Sequence, residues 1–142
     1  MEPQQTIKEK FSDKVIKFEE KAPQRIYIEF APEDIPAAAK FAFEDLHCRF
    51  VTASGVDTPN AIEILYHFSH DASGKMITLR TLIPDKNNPQ IDSIAHIIKG
   101  TEWIEREIWE LLGVNFKGHP NLKRLLLSED WPEGKYPLRH ED

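Results

Sequence analysis

The chain has 142 residues, one domain's worth by length, and its hydrophobic fraction of 40% is the balance of a soluble protein. Acidic residues outnumber basic ones by 24 to 18, and a net charge of -6 repels phosphate backbones, so nucleic acid is excluded as a first candidate partner. No apolar run approaches the roughly 20 residues needed to cross a bilayer, so direct membrane insertion is excluded too.

The first third of the chain is predicted to hold two helices separated by a pair of strands. Residues 6–11 predict a short helix, and residues 14–20 alternate polar and apolar side chains with the period of a half-buried strand. A turn at residues 22–24 leads to a second strand at residues 26–30. Residues 33–46 carry apolar side chains at helical spacing and predict a longer helix.

The middle of the chain has strand periodicity. Residues 49–53 predict one strand, and residues 61–70 and 76–83 each place alternate apolar side chains on one face. The turn-forming residues between the last two predict an antiparallel meander. Antiparallel strands with helices segregated to one side indicate an α+β fold, here two-layered, with a mostly antiparallel sheet of about four or five strands.

Helices are predicted again after the sheet. Ser93 is placed to cap a short helix ending at residue 98, and a stronger helix runs over residues 101–112, where Gly113 would terminate it. We therefore divide the chain into an α+β domain at residues 1–112 and, at residues 113–142, a loop followed by an extended C-terminal docking arm.

The helix at residues 101–112 carries alternating charges. Glu102, Arg106 and Glu110 follow one another at a spacing of four residues, and an apolar stripe lies opposite them. This pattern predicts a solvated or partner-facing row of charges rather than a metal site. Trp103 and Trp109 flank it, and the pattern leaves open whether the two indoles cover the sheet or anchor an interface.

The C-terminal residues 129–140 combine helix-breaking and apolar residues. Their prolines and glycine prevent a regular helix, whereas Trp131, Tyr136 and Leu138 are too apolar for a solvated tail. An extended arm lying on a surface fits this composition. That surface is either the chain's own sheet or another subunit.

No cofactor is predicted in this chain. Cys48 is the single cysteine, so thiolate-based zinc or iron–sulfur sites cannot be assembled. His67 and His70 point to opposite faces of a strand. The sequence also lacks the glycine-rich phosphate loops and the nucleophile elbow of common enzyme classes.

Residues 105–126 resemble the signature of a known family, the 30 kDa component of respiratory complex I (the C subunit of NADH-quinone oxidoreductase) together with its relatives in energy-converting membrane-bound hydrogenases. The agreeing positions of the signature are Glu105, Arg106, Glu107, Glu110, Leu111, Leu112, His119, Lys123, Leu125 and Leu126. Further agreement around it involves Trp109, Gly113, Phe116, Gly118, Pro120, Leu122, Arg124, Asp130, Trp131, Pro137, Leu138 and Arg139. The resemblance covers roughly residues 26–139, with Glu110 where aspartate is common.

The resemblance implies a hydrophilic, non-catalytic peripheral-arm subunit of a membrane-associated, ion-translocating oxidoreductase. Its implied partners are the large subunit (49 kDa-like or hydrogenase large) and a small cluster-bearing subunit. Iron–sulfur clusters, flavin or a nickel–iron centre would belong to those partners. The resemblance places the chain itself at the cytoplasmic side of the cell membrane, as a peripheral part of the complex. The electron donor stays open, and so does the acceptor, quinone or protons.

The resemblance also implies roles for individual residues. Glu105, Arg106 and Glu107 would position the helix and bond the loop or the partner. Gly113 and Gly118 would permit a tight chain path. The arm at residues 131–139 would clasp the large subunit.

Two other classes of function stay open at this point. A stand-alone enzyme would use Glu105, Glu107 and His119 for acid/base chemistry, which requires the three side chains to converge in one cleft. A free regulatory binding module would instead require a stable, monodisperse monomer with its C-terminal arm ordered on itself.

Overall fold

The computed structural model describes residues 2–122 and 134–140. The predicted site residues Lys123, Arg124 and Trp131 lie outside these ranges. The helices are α1 (Pro3–Lys10), α2 (Ile35–Lys40) and α3 (Thr101–Leu112). The strands are β1 (Val15–Ala22), β2 (Arg25–Phe30), β3 (Arg49–Asp57), β4 (Ile62–His70), β5 (Lys75–Ile83), β6 (Gln90–Asp92) and β7 (Asn115–Lys117).

Five strands form one sheet in the order β1-β2-β5-β4-β3. Three of its four pairings are antiparallel, whereas β2 and β5 pair in parallel. The predicted α+β fold and the β4–β5 meander are therefore confirmed. The sequence pattern does not predict the parallel pairing, because each strand's own periodicity carries no information on its partner.

The core lies on one face of this sheet. Ile28, Leu79, Tyr66 and Ala53 are direct cross-strand neighbours, and all four are buried. Phe11, which follows α1, packs edge-to-face on Phe30. This explains the one-sided alternation of the strands, since a two-layer fold needs only one apolar sheet face.

The opposite sheet face carries charges that pair across strands. Nε of Arg80 on β5 donates to Glu63 on β4 at 2.8 Å, and NH1 of Arg80 donates to Glu29 on β2 at 3.2 Å. One guanidinium therefore links three neighbouring strands, including the parallel pair.

The helix predicted at residues 33–46 is present in three segments. A 3₁₀ turn at Pro32–Asp34 precedes α2, and a π turn at Phe41–Asp45 follows it. The π turn is closed by bonds such as Leu46 N–H to Phe41 O at 3.1 Å. The extra residue in this turn changes the direction of the chain before β3.

The predicted helix at residues 93–98 is wrong. The segment makes a single turn, closed by the N–H of Ile98 on the carbonyl of Ile94 at 2.8 Å. Its first polar groups are bound by a side chain of α3, described below. The predicted loop after Gly113 is also corrected, because Asn115–Lys117 pairs in parallel with Gln90–Asp92 as a second, two-stranded sheet.

No extended arm is seen in the described end of the chain. Residues 136–139 form a turn in which the N–H of Arg139 donates to the carbonyl of Tyr136 at 3.0 Å. The N–H of Leu138 donates to the carbonyl of Leu111 at 2.9 Å. The described C-terminal residues therefore rest on their own chain at the end of α3.

Candidate functional site

Helix α3 occupies the bounds predicted for it and packs on the edge strand β3. Gly55 of β3 makes the close approach possible, because a Cβ there would clash with Leu112 and lie 3.2 Å from Ile108 Cγ2. The helix ends at Gly113, which adopts φ 80° and whose N–H donates to the carbonyl of Trp109 at 2.8 Å. A side chain at Gly113 would also collide with the Tyr136 ring. Both the positive φ and the neighbouring ring therefore favour glycine at this position.

Glu105 is fully buried and joins α3 to the turn after β6. Its carboxylate accepts the hydroxyl of Ser93 at 2.5 Å and the N–H of Ile94 at 2.9 Å. The Ser93 oxygen in turn accepts the N–H of Ala95 at 3.1 Å. We call Glu105, Ser93, Ile94 and His119 the Glu105 junction. It ties the helix to the two-stranded sheet with buried hydrogen bonds.

His119 completes the junction from the segment after β7. Its Nδ1 accepts the N–H of Asn121 at 2.9 Å, so Nε2 carries the proton and donates to the carbonyl of Glu102 at 2.8 Å. Nε2 also lies 3.9 Å from Oε1 of Glu105. These bonds place a neutral imidazole between the backbone of α3 and the loop, as a structural bridge.

Burial raises the pKa of the Glu105 carboxyl above its ordinary value of 4.5. The bonds from Ser93 and Ile94 oppose the shift, but they do not cancel the loss of hydration. The neutral carboxylic acid is thus favoured at this site relative to an exposed glutamate.

The predicted solvated row of charges on α3 is wrong. Arg106 and Glu110 are buried, with 5% and 2% of their surfaces exposed, and Glu102 is half-buried. Helical periodicity identified the opposite apolar stripe correctly, but it cannot tell which further segments cover a polar face. Trp103, 60% exposed, stacks on the Arg106 guanidinium at 4.9 Å.

A groove runs between β3 and the outer side of α3. Its volume is about 180 Å³, and we call it the β3–α3 groove. The lining residues are Ala53, Ser54, Gly55, Ile104, Glu107, Ile108, Leu111, Leu112 and Leu138. Apolar side chains form most of these walls, and the carboxylate of Glu107 is the single charged group among them.

Asp57, at the end of β3, fastens the C-terminal residues, although the sequence pattern does not single it out. Nζ of Lys86 lies 2.6 Å from its Oδ1, and the N–H of His140 donates to its Oδ2 at 2.6 Å. Arg139 donates to the carbonyls of Leu112 at 3.2 Å and Lys86 at 2.7 Å, with Nε 3.8 Å from Asp57. We call Asp57, Lys86, Arg139 and His140 the Asp57 latch.

The other residues of the Asp57 latch favour the ionised carboxylate of Asp57. Burial disfavours its carboxylate, but the bonds from Lys86 and from the His140 N–H, with the charges of Lys86 and Arg139, outweigh burial and lower the pKa below 3.8. Because its partners are distant in sequence, only the Leu138-Arg139 match to the family pattern points to this region.

The three residues of the acid/base hypothesis do not meet in one cleft. Glu105 and His119 are buried together, whereas Glu107 lines the β3–α3 groove, about 200° further round the helix. Both nitrogens of His119 are engaged by backbone groups. The geometry therefore favours a structural role for Glu105 and His119.

The other predicted site residues are spread over the same region. Phe116 is buried on β7, Trp109 is half-buried, and Pro120 and Pro137 are exposed. Gly118 takes φ 81°, as a turn glycine does. Over residues 2–122 and 134–140, no three metal-binding side chains are grouped, and no helix has the length and apolar character needed to cross a membrane.

Residues 28–142 match the family described as "Respiratory-chain NADH dehydrogenase, 30 Kd subunit". Among curated relatives, the NADH-quinone oxidoreductase C subunit of Chloroherpeton thalassium is 33% identical over 139 residues, 95% of this chain and 57% of that protein. The F(420)H(2) dehydrogenase C subunit of Methanosarcina mazei is 36% identical over 92 residues, 63% of this chain and 57% of that protein. The chain thus spans about half the length of these relatives.

Two solved structures share the fold. One is a chain of the membrane-bound sulfane sulfur reductase, an archaeal respiratory membrane complex, with a TM-score of 0.81, 23% identity, and coverage of 95% of this chain and 80% of that chain. The other is a trypsin-resistant fragment of Nqo5, with a TM-score of 0.67, 17% identity, and coverage of 86% and 100%.

Proposed function

The chain belongs to the family of the respiratory-chain NADH dehydrogenase 30 kDa subunit, and from this we propose that it is a non-catalytic peripheral-arm subunit of a membrane-associated, ion-translocating oxidoreductase. The observation that carries the proposal is the family match over residues 28–142, which contains the whole signature. Relatives of this chain are named as subunits of NADH-quinone oxidoreductase and of F(420)H(2) dehydrogenase.

The state of the signature residues supports a structural role. Glu105 accepts two hydrogen bonds inside the fold, and His119 uses both ring nitrogens on backbone groups. A general acid or base needs a lone pair or a proton that can reach a substrate. These two side chains instead hold α3 and the segments around it in fixed positions.

In this proposal the electron carriers belong to other chains. The large subunit, 49 kDa-like or of the hydrogenase type, and a small cluster-bearing subunit would hold the iron–sulfur clusters, flavin or nickel–iron centre. This chain would lie with them at the cytoplasmic side of the membrane, without inserting into it. Its contribution is to shape and stabilise the assembly.

Co-purification from native membranes tests the proposal. A tagged full-length chain, solubilised in mild detergent, is expected to bring down a large oxidoreductase subunit in about equal amount. Mass spectrometry of that subunit also identifies the host, since paired nickel-binding cysteines indicate a hydrogenase and their lack indicates a quinone-type complex. Recovery of the tagged chain alone, from membranes that contain the oxidoreductase, would contradict the proposal.

A further inference from the structure

Helix α3 keeps one sector of its surface open. At about 100° per residue, Trp103, Glu107, Leu111 and Ile104 follow one another around the helix over about 100°. Trp103 is exposed and the other three are half-buried, as are Glu102 and Trp109 on another side of the helix, whereas Glu105, Arg106, Ile108 and Glu110 are buried. Three of these residues, Ile104, Glu107 and Leu111, line the β3–α3 groove.

Glu107 differs from the other carboxylates held within the fold. Glu29 and Glu63 bond Arg80, Glu105 bonds Ser93, and Asp57 bonds Lys86. Glu107 is half-buried in apolar surroundings, and among residues 2–122 and 134–140 it has no hydrogen bond or ion pair. A carboxylate in this position loses part of its hydration and gains no hydrogen bond or ion pair in return. A cation that bound it would supply the missing ion pair and offset the cost of desolvation.

The dimensions of the groove indicate what kind of group fits. Its volume of about 180 Å³ is below the roughly 300 Å³ at which small-molecule sites begin, but it matches one large side chain. Ile104, Leu111 and Leu138 offer apolar contacts for an aliphatic stem. Arginine and lysine carry such a stem and end in the cation that Glu107 lacks.

Trp103 supplies an anchor beside the groove. It precedes Glu107 by one helical turn, is 60% exposed, and is held by stacking on Arg106. Exposed tryptophans with restricted rotamers are typical centres of protein interfaces, because they bury a large area at a small entropic cost.

We propose that the β3–α3 groove receives an arginine or lysine side chain of a partner subunit, with its stem on Ile104, Leu111 and Leu138 and its charged end on Glu107. The inference rests on the proposed function, since it names the contact through which this chain joins the oxidoreductase. A second copy of the chain is the less suitable occupant, because two molecules of net charge -6 repel each other.

Charge reversal in the intact complex tests the inference. Glu107→Arg in the tagged full-length chain is expected to lower the recovered large subunit about tenfold or more, because two cations would then meet in the groove. Glu107→Gln is expected to have a smaller effect of the same sign. Glu44→Arg makes the same charge change on the π turn after α2 and is expected to leave recovery unchanged.

Cross-linking identifies the partner's cation. A photo-reactive phenylalanine analogue at position 103 in the complex is expected to capture a partner segment that contains an arginine or lysine. Reversing that residue to glutamate should restore the binding of the Glu107→Arg chain. Urea unfolding of each variant checks that the loss of recovery does not come from loss of folding.

The possible results separate the two proposals. If the wild-type chain recovers no oxidoreductase subunit, the proposed function fails. If the wild-type chain recovers the complex and Glu107→Arg recovers it equally well, the groove contact is wrong and the proposed function stands. Capture of a second copy from position 103 would also overturn the groove contact.

Discussion

Glu105 and Glu107 are two residues apart on α3, yet their carboxylates have opposite environments, one in the Glu105 junction and the other in the β3–α3 groove. Glu105 is fully buried and receives hydrogen bonds from Ser93 and Ile94. Glu107 is half-buried among apolar side chains and has no partner in the part of the chain that the structure describes. One carboxylate therefore closes the fold, and the other is left for the proposed contact outside it.

Truncation of Glu105 is expected to cause the largest loss of stability. Glu105→Ala leaves the Ser93 hydroxyl and the Ile94 N–H buried without an acceptor, and we expect a loss of about 3 kcal/mol in the free energy of unfolding. Glu105→Gln keeps an acceptor oxygen and should lose less. Urea unfolding of the full chain measures both; a loss below about 1 kcal/mol for the alanine variant would contradict the junction.

The Asp57 latch gives the next largest effect. Asp57→Ala strands Lys86 and Arg139, but these side chains remain about one quarter exposed, so we expect a loss of about 2 kcal/mol rather than the roughly 3–5 kcal/mol of a fully buried pair. The matched control is Asp92→Ala, which breaks an exposed pair with Lys117 and should cost under about 0.5 kcal/mol. Equal losses for the two variants, by thermal unfolding, would argue against the latch.

Acid and base titration should separate Glu105 from Asp57 by sign. The folded-state pKa of Glu105 is raised, so the folded chain binds more protons than the unfolded chain above pH 4.5, and stability falls as pH rises through that window. The folded-state pKa of Asp57 is lowered, so its stabilisation is present above pH 3.8 and is lost as pH falls below that value.

These slopes are measured as differences between the wild-type chain and single variants. The free energy of unfolding of the wild type minus that of Glu105→Gln should decrease as pH rises above 4.5. The corresponding difference for Asp57→Asn should decrease as pH falls below 3.8. A Glu105 difference that grows with pH would mean that the junction stabilises the charged carboxylate.

The smallest effects on stability are expected in the groove. Glu107→Gln removes no described bond, and Trp103→Ala removes an exposed ring whose stacking on Arg106 is worth about 0.5 kcal/mol. Both variants should therefore unfold within about 0.5 kcal/mol of the wild type. A loss above about 1 kcal/mol for Glu107→Gln in the isolated chain would show that this carboxylate serves the fold after all.

Local pattern predicted the elements well wherever one face of an element is buried. The alternation in β4 and β5 and the helix bounds at Thr101 and Gly113 follow directly from side-chain period and end signals. The strand β3 continues to Asp57, beyond the predicted end at residue 53. Gly55, a poor strand former, lies in this extension, where the close approach of α3 requires a glycine.

The remaining features depend on contacts between distant parts of the chain. Strands β6 and β7 are three residues long, too short to show a period, and their pairing joins separated segments. The helical spacing of Arg106 is that of a surface charge. It is nevertheless buried, because the periodicity of one helix does not show which other segments pack on it. Asp57 could not be recognised without Lys86 and Arg139 beside it, whereas Glu107 and His119 were found through the signature.

The parallel pairing of β2 with β5, which we call the parallel seam, joins segments that are distant in sequence and so bears on the order in which the sheet forms. The hairpin β1–β2 and the meander β3–β4–β5 each close through short turns, while residues paired across the seam, such as Glu29 and Arg80, are 51 positions apart. Joining distant segments carries the larger loop-closure entropy. We therefore expect the hairpin and the meander to form first and to pair last along the β2–β5 boundary, where Arg80 bonds Glu29 across the parallel pair.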